Sequence, residues 1–522
     1  MKFKIVLLMF CALFSNVSSG VSVTLERFEN MRWIEPSSNI SSVLEFPELV
    51  DDIYRQNNDM LVWYNEETVS QFEFQLDLID RAKISSLFSH QLRYLRYYKS
   101  QGRWFEYDLL ATDTLILYLS YSQNARENGK LWFFDSKVSS SLLPPSTGSM
   151  SSLIHAVNSA QLPEFIANLA PPIEEYSLFL SSYQHLESQL GNDVPSYYQI
   201  GLKREGDILV DRSILLDRLA IVGLDLTMVD ESTNQFDRSL VKVVKLFQHM
   251  HGLKADGIIG SKTLKWLNLS PKERIQLLAI NAERSRMWPK NRESIIMVNV
   301  PDFNMSYWYQ GQEVFESKVV VGRKSRKTPL MEAKLDSVIM NPTWNVPWKI
   351  MVKDIIPKVK RDPEYLVRNN FQIIEGWNSH VEIDPAEIDW ATVNPNAFPY
   401  RMRQLSGDRN ALGLYKFNTP NKRAIYLHDT PSKNLFNSEV RAFSSGCIRV
   451  EHADKFASLL LETQGVPSQE LLVSTEEPAN TSIRLKRRIP VHIIYQTVWF
   501  EGGQTHYRDD IYHYDEVAAT KG

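Results

Sequence analysis

Near residue 290 the hydrophobic pattern of this 522-residue chain changes period, and nothing else in the sequence constrains the fold as tightly. Upstream, apolar residues recur at helical spacing, as in the stretch 77–98 and in 240–250, where Leu240, Val243, Val244 and Phe247 share a face. A second amphipathic segment covers 214–224, and a charged helix is expected over 271–287. Downstream the pattern is that of strands. Residues 294–300 are apolar, and 306–309 and 314–321 flank a Gln310-Gly311-Gln312 turn, which reads as a β-hairpin closed by Gly322. Further strands are expected at 337–345 and 424–428.

A chain of this length exceeds one hydrophobic core, and about three domains are expected. The sequence divides into a helical scaffold at 21–205, with loops at 139–149 and at Ala170-Pro171-Pro172, and a compact unit at 206–270. A mostly-β domain follows in two pieces, 290–346 and 412–480. Between them lies an irregular insertion, 347–411, rich in Pro, Asn and Trp, of the kind that caps a site. Residues 481–522 are C-terminal strands and tail. The fold class is multi-domain α+β.

The first twenty residues carry Lys2 and Lys4, an apolar run at 5–14 and small residues up to Gly20. That is the pattern of a secretory signal peptide, cleaved after Ser19 or Gly20. The apolar run is half the roughly 20 residues that a membrane span needs. Its removal changes the formal charge from −4 to −6, because two lysines leave. Such a balance gives no support to a nucleic-acid partner. Removal also takes Cys11 and leaves Cys447 as the one thiol of an exported chain, which excludes an intrachain disulfide.

Cys447 sits in a segment whose residues suit nucleophilic chemistry. An apolar strand delivers His428, a polar loop follows, and Ser444-Ser445-Gly446 returns the chain to Cys447 nineteen residues later. Gly446 permits the tight turn that projects a thiol and aims neighbouring N–H groups at a substrate oxygen. Arg449 falls on the face of Cys447 if the strand is extended, where it lowers the thiol pKa and attracts a carboxylate. A thiol needs a base, and the base an orienter. Asp429 is a weak orienter because adjacent strand side chains diverge, so a backbone carbonyl is the alternative. On the residues alone, Cys447 also fits an inert buried cysteine and His428 a satisfied core histidine. His452, at the head of a helical run, is a rival base that capping and exposure explain.

Two motifs add a resemblance. Phe247-Gln248, Gly252-Leu253, Asp256-Gly257, Gly260 and Thr263, followed by Leu264 and Trp266-Leu267, match FQ-x3-GL-x2-DG-x2-G-x2-T. The stretch resembles the small three-helix peptidoglycan-binding module, whose motif residues mostly specify turns and packing; Ser261 is expected to cap the next helix. His428 followed by Ser444-Ser445-Gly446-Cys447-Ile448-Arg449 resembles the signature of the L,D-transpeptidase (YkuD) family. The order of parts, with NPTWNVP from Asn341, RDPEYL from Arg361 and the C-terminal IPVHIIYQTVWF and DIYHYD, is similar to its long, YcbB-type subgroup. Many members carry histidine where this chain has Ser445, so no role transfers to that position.

The resemblance implies a cysteine-dependent L,D-transpeptidase in the periplasm, associated with the cell wall, that forms 3→3 peptidoglycan cross-links through a Cys447 acyl-thioester. It implies Cys447 as nucleophile and His428 as proton donor and acceptor, with Gly446 and Cys447 as backbone oxyanion donors. Tyr426, Ser444, Ser445 and Arg449 would line the pocket, with Trp344 and Asn345 nearby. The partners implied are a tetrapeptide donor stem, a diamino acid amine as acceptor, and cell-wall synthesis proteins. Neither metal nor organic cofactor is called for, and the histidines show no HExxH and the cysteines no CxxC spacing. Capture of the same thioester by water gives an L,D-carboxypeptidase, and capture by a lysine attaches an envelope protein. A non-catalytic wall-binding scaffold is the reading of another class. Acylation of Cys447 by carbapenems is expected.

Overall fold

The computed structural model describes residue 40 and residues 43–379, 381–466 and 479–515; the expected signal segment lies outside them. The first part is helical from Pro47–Gln56 to Tyr176–Ser188. Its centre is the 27-residue helix Trp104–Lys130, buried on every side from Tyr107 to Tyr121. Two buried acids on this helix organise the chain around it. Asp113 accepts hydrogen bonds from the Glu45 and Phe46 N–H groups, the latter at 2.7 Å, ahead of helix Pro47–Gln56, whose own N-cap residue Phe46 has no capping side chain. Asp108 does the same for Val62 and Trp63. The stretch 77–98, helical in its spacing, belongs to two helices, Glu66–Ala82 and Ser86–Ser100: Lys83 turns left-handed at φ 56° and Ser85 caps the second.

The second unit holds helices Arg212–Ala220, Arg238–Met250 and Ser261–Leu267. Its motif residues work inward. Phe247 and Leu267 are buried, and Gln248 brackets the 256–258 turn by accepting from the Gly257 N–H (2.8 Å) and donating to the Ile258 carbonyl (2.9 Å). Ser261 is the first helical residue, and Gly260 occupies the N-cap without a side-chain cap, so the expected serine cap does not form. At Gly252 (φ 63°) a Cβ would lie 2.5 Å from the Arg508 side chain, so glycine here admits the C-terminal segment as well as turning the chain.

The third part is built on a nine-stranded sheet. Its strands are β1 (Ser294–Asn299), β2 (Asn304–Tyr309), β3 (Gln312–Gly322), β4 (Met331–Met340), β9 (Tyr415–Asn418), β10 (Leu427–His428), β11 (Ala442–Ser444), β12 (Ile448–Val450) and β13 (Thr481–Ile494). The order is β11-β3-β12-β10-β9-β4-β13-β1-β2, and β2 pairs with β3 as well, which closes a ring around the core. The β2–β3 hairpin turns at Gln310 and Gly311, both at positive φ. β13 was set apart from the catalytic unit by sequence, yet it is an interior strand between β4 and β1. A short hairpin, β14 (Val498–Glu501) with β15 (Gln504–Tyr507), follows it.

The insertion folds around its own apolar cluster, which includes Met351, Ile356, Ile373 and Met402. Its sheet orders β5 (Trp344–Asn345), β8 (Arg401–Gln404), β6 (Phe371–Ile374) and β7 (Glu382–Ile383). The strand expected over 337–345 is therefore divided. Asn341 (φ 45°) and Pro342 break it after Met340, and Trp344 and Asn345 pass to the smaller sheet.

Candidate active site

Parallel pairing of β10 and β12 aligns Leu427 with Ile448 and His428 with Arg449. One step further along, Tyr426 stands across from Cys447, with the Ile448 N–H donating to the Tyr426 carbonyl at 3.1 Å. Strand alternation then sends Tyr426, His428, Cys447 and Arg449 to one face, while Leu427 and Ile448 go into the core. β9 adds a fifth member, since Lys416 pairs with His428 and places its ammonium 4.6 Å from the centre of the Tyr426 ring. Sequence inspection did not single out Lys416. Its signal, a lone lysine in the apolar-flanked YKFN, acquires meaning only through the register.

Short-range contacts set the approach to the thiol. Gly446 has φ 124°, a region that side-chain-bearing residues rarely adopt. Ser444 clamps the turn, its hydroxyl donating to the Cys447 carbonyl (2.6 Å) and accepting from the Gly446 N–H (3.0 Å). The Gly446 N–H is thus engaged, which withdraws it as an oxyanion donor and leaves the Cys447 N–H as the candidate. Thr328 donates to the Gly446 carbonyl (2.9 Å), and its own N–H donates to the Tyr512 hydroxyl (3.0 Å), so the C-terminal segment braces the Cys447 loop. The contribution of Thr328 and Tyr512 is long-range and has no local sequence signature.

His428 is buried, and its Nδ1 lies 2.5 Å from the Asp429 carbonyl oxygen. A carbonyl can only accept, so Nδ1 carries the proton and Nε2 of the neutral ring holds a lone pair. The backbone of Asp429 is therefore the orienter. Its carboxylate serves the loop instead, accepting from the Leu414 N–H (3.0 Å) and pairing with Lys433. Burial, the Arg449 charge and Lys416 push the imidazole down to about 3, against the opposing hydrogen bond to Asp429.

Cys447 is half-buried and its sulfur lies 3.6 Å from the Ala424 carbonyl oxygen. Burial pushes the thiol up, and the Tyr426 backbone and hydroxyl, Lys416 and Arg449 oppose that rise. No direct hydrogen bond joins the sulfur to His428 in this arrangement; the two are diagonal neighbours on the face. The Tyr426 hydroxyl faces both Cys447 and the Trp344 side chain, which carries the insertion to the site. Arg449 is a partly buried cation whose Nε has no hydrogen-bond partner. Ser445 is exposed and accepts from Arg326 (2.8 Å), which also pairs with Asp354 of the insertion. Asn345 is exposed and accepts from Arg403 (2.9 Å). His452 is exposed at a left-handed helix start and caps nothing with its side chain.

Residues 293–476 match the family described as "L,D-transpeptidase catalytic domain". Over 472 residues the chain is 31% identical to a "Putative L,D-transpeptidase" of Haemophilus influenzae, covering 90% of this chain and 79% of that protein. The chain belongs to the L,D-transpeptidase family. Residues 48–180 match a "Scaffold domain" and 211–267 a "Putative peptidoglycan binding domain". Two solved L,D-transpeptidases, from Stackebrandtia nassauensis and Xylanimonas cellulosilytica, share 14% and 12% identity. Each match covers 57% of this chain, and 95% and 98% of theirs, at TM-scores of 0.21 and 0.15.

Proposed function

We propose that this transpeptidase joins peptidoglycan stem peptides by 3→3 cross-links through a thioester on Cys447, in the periplasm of an exporting cell. The observation that carries the reading is a neutral imidazole with a fixed Nδ1–H, sharing one sheet face with a thiol and two cations.

In the proposed first step, a turn of the Cys447 side chain from the Ala424 carbonyl toward His428 lets Nε2 take the thiol proton. Lys416 and Arg449 stabilise the thiolate that results. Sulfur bonds to the carbonyl carbon between the diamino acid and D-alanine of a tetrapeptide stem. The carbon–nitrogen bond then breaks, and His428 returns the proton to the departing D-alanine amine. In the second step the amine of another stem attacks the thioester, its proton passes to His428, and the carbon–sulfur bond breaks. The Cys447 N–H faces the developing oxyanion, and the Arg449 guanidinium receives a stem carboxylate. Proton transfer of this kind contributes roughly 10²–10⁴-fold and an oxyanion donor roughly 10²–10³-fold.

Incubation with tetrapeptide-rich peptidoglycan followed by muropeptide analysis tests the reading. New 3→3 dimers with free D-alanine are expected, and none with Cys447→Ala. Conversion of tetrapeptide to tripeptide without dimers would identify water as the acceptor and overturn the transpeptidase assignment. The same adduct chemistry predicts a carbapenem mass on Cys447.

A further inference from the structure

A large cavity lies away from the thiol, and Cys447 is not among the residues that line it. It has a volume of about 1400 Å³ and opens where the scaffold, the second unit, the β-sheet ring and the β14–β15 hairpin meet. That exceeds the roughly 300–1,000 Å³ typical of a small-molecule site, and a domain junction is a usual place for one. Its volume suits a segment of a polymer.

Its walls indicate which polymer. Three half-buried indoles line it, and each is held in place. Trp308 lies under the Arg292 guanidinium at 4.6 Å, and Arg292 pairs with Glu174 of the scaffold (2.6 Å). Trp499 stacks on His506 at 5.1 Å and on Arg508 at 4.7 Å, and Arg508 pairs with Asp302 (2.6 Å). The Trp288 Nε1–H donates to Gln496 at 2.5 Å. Seven carboxylates and five Lys or Arg residues line the cavity, so it is polar with little net charge. Such a wall favours neither nucleic acid nor a polyanion. Rigid aromatic planes among amide, hydroxyl and carboxyl groups fit sugar rings, which offer an apolar C–H face and a polar edge. The peptidoglycan-binding motif itself turns inward, and the second unit gives the cavity only the exposed His249. Glu451 and His452 line it too, four and five residues beyond Cys447, on the order of 13 Å along an extended strand. One strand therefore has the thiol at one end and this junction at the other.

We propose that the junction groove binds the uncharged glycan strand of peptidoglycan, stacking sugar rings on Trp308 and Trp499 while a stem is processed at Cys447. The choice of glycan rests on the function proposed above. The test uses the full chain and glycan strands stripped of their peptides, with the freed lactyl carboxylates capped as amides so that the strand stays uncharged, and binding is read by co-sedimentation and tryptophan fluorescence. Wild type is expected to bind. Trp499→Ala removes a stacking plane, and Ser306→Trp fills the groove from β2 without removing packing. Both are expected to weaken binding at least tenfold and to keep the carbapenem adduct on Cys447, which reports an intact catalytic fold. Absence of wild-type binding to stripped glycan, or wild-type binding by both variants, would overturn the proposal. Glycan binding without any Cys447 adduct would instead contradict the catalytic reading and leave the groove standing.

Discussion

Two buried histidines in this chain have opposite relations to their surroundings. His251, in the second unit, places Nδ1 2.6 Å from the Phe247 carbonyl oxygen and accepts at Nε2 from Arg274 (3.1 Å), and its ring stacks on Tyr507 at 4.9 Å. Both nitrogens are satisfied, and the residue joins that unit to the C-terminal hairpin. His428 also uses Nδ1 on a backbone carbonyl, but its Nε2 has no protein partner among the described residues. Burial lowers both, so each is neutral at physiological pH. The difference separates a histidine spent on structure from one with a nitrogen to offer: burial and lowered basicity are shared, and the unspent lone pair on the face of a thiol is not. The same contrast extends to their motifs. Gln248 and Gly257 satisfy each other, whereas Arg449 keeps an unpartnered Nε and Lys416 lies on an aromatic ring rather than on a carboxylate.

Changes on the thiol face are expected to hit acylation, and changes in the second unit to hit stability. The largest effect after loss of Cys447 itself is expected from Gly446→Ala. Holding alanine at φ 124° costs about 1–3 kcal/mol, so loop relaxation should slow Cys447 acylation by roughly 10–100-fold. Stopped-flow carbapenem acylation measures it, and an unchanged rate would show that the turn does not aim the thiol. Lys416→Met is expected to slow acylation by about tenfold at pH 7 and to move the thiol's inflection upward, with Lys416→Arg restoring most of the rate. An unmoved inflection would reduce Lys416 to packing.

The pH profile itself sharpens the pair. The thiol is raised and His428 is already neutral down to about 3, so acylation should climb with pH through neutrality and show no step near 6.5. A step there would mean that His428 titrates as an exposed imidazole. For stability the sign is the same for both histidines. A base lowered on folding contributes stability that is present above its unfolded value near 6.5 and lost as pH falls toward the folded one. Thermal midpoints should therefore decline as the solution is acidified below about 6.5. Gln248→Ala is expected to cost about 1–3 kcal/mol, lowering the midpoint while leaving carbapenem acylation within about twofold. Asn345→Ala, which loses only an exposed contact to Arg403, should change acylation by less than about twofold.

Much of this contrast was legible in sequence, because both motifs are local. The Gln248–Gly257 turn and the Ser444–Arg449 run each close over a few residues, and the change of period near residue 290 announced the β domain. What escaped notice depends on pairing across distance. Lys416 joins the site through its register with His428, Thr328 and Tyr512 through a brace from the far end of the chain, and β13 through insertion between β4 and β1. The Gly446 N–H looked available until Ser444 was found to take it, since no spacing rule shows where a hydroxyl points. The break at Asn341 was hidden by the apolar run before it.

The central claim is that Cys447 carries the acyl group, and intact-mass measurement on the full chain with a tetrapeptide stem and no acceptor amine tests it most directly. The account predicts a protein heavier by the tripeptide acyl group, with release of one D-alanine, mapped by digestion to Cys447 and absent from Cys447→Ala. An adduct on any other residue, or D-alanine release that survives Cys447→Ala, would contradict it.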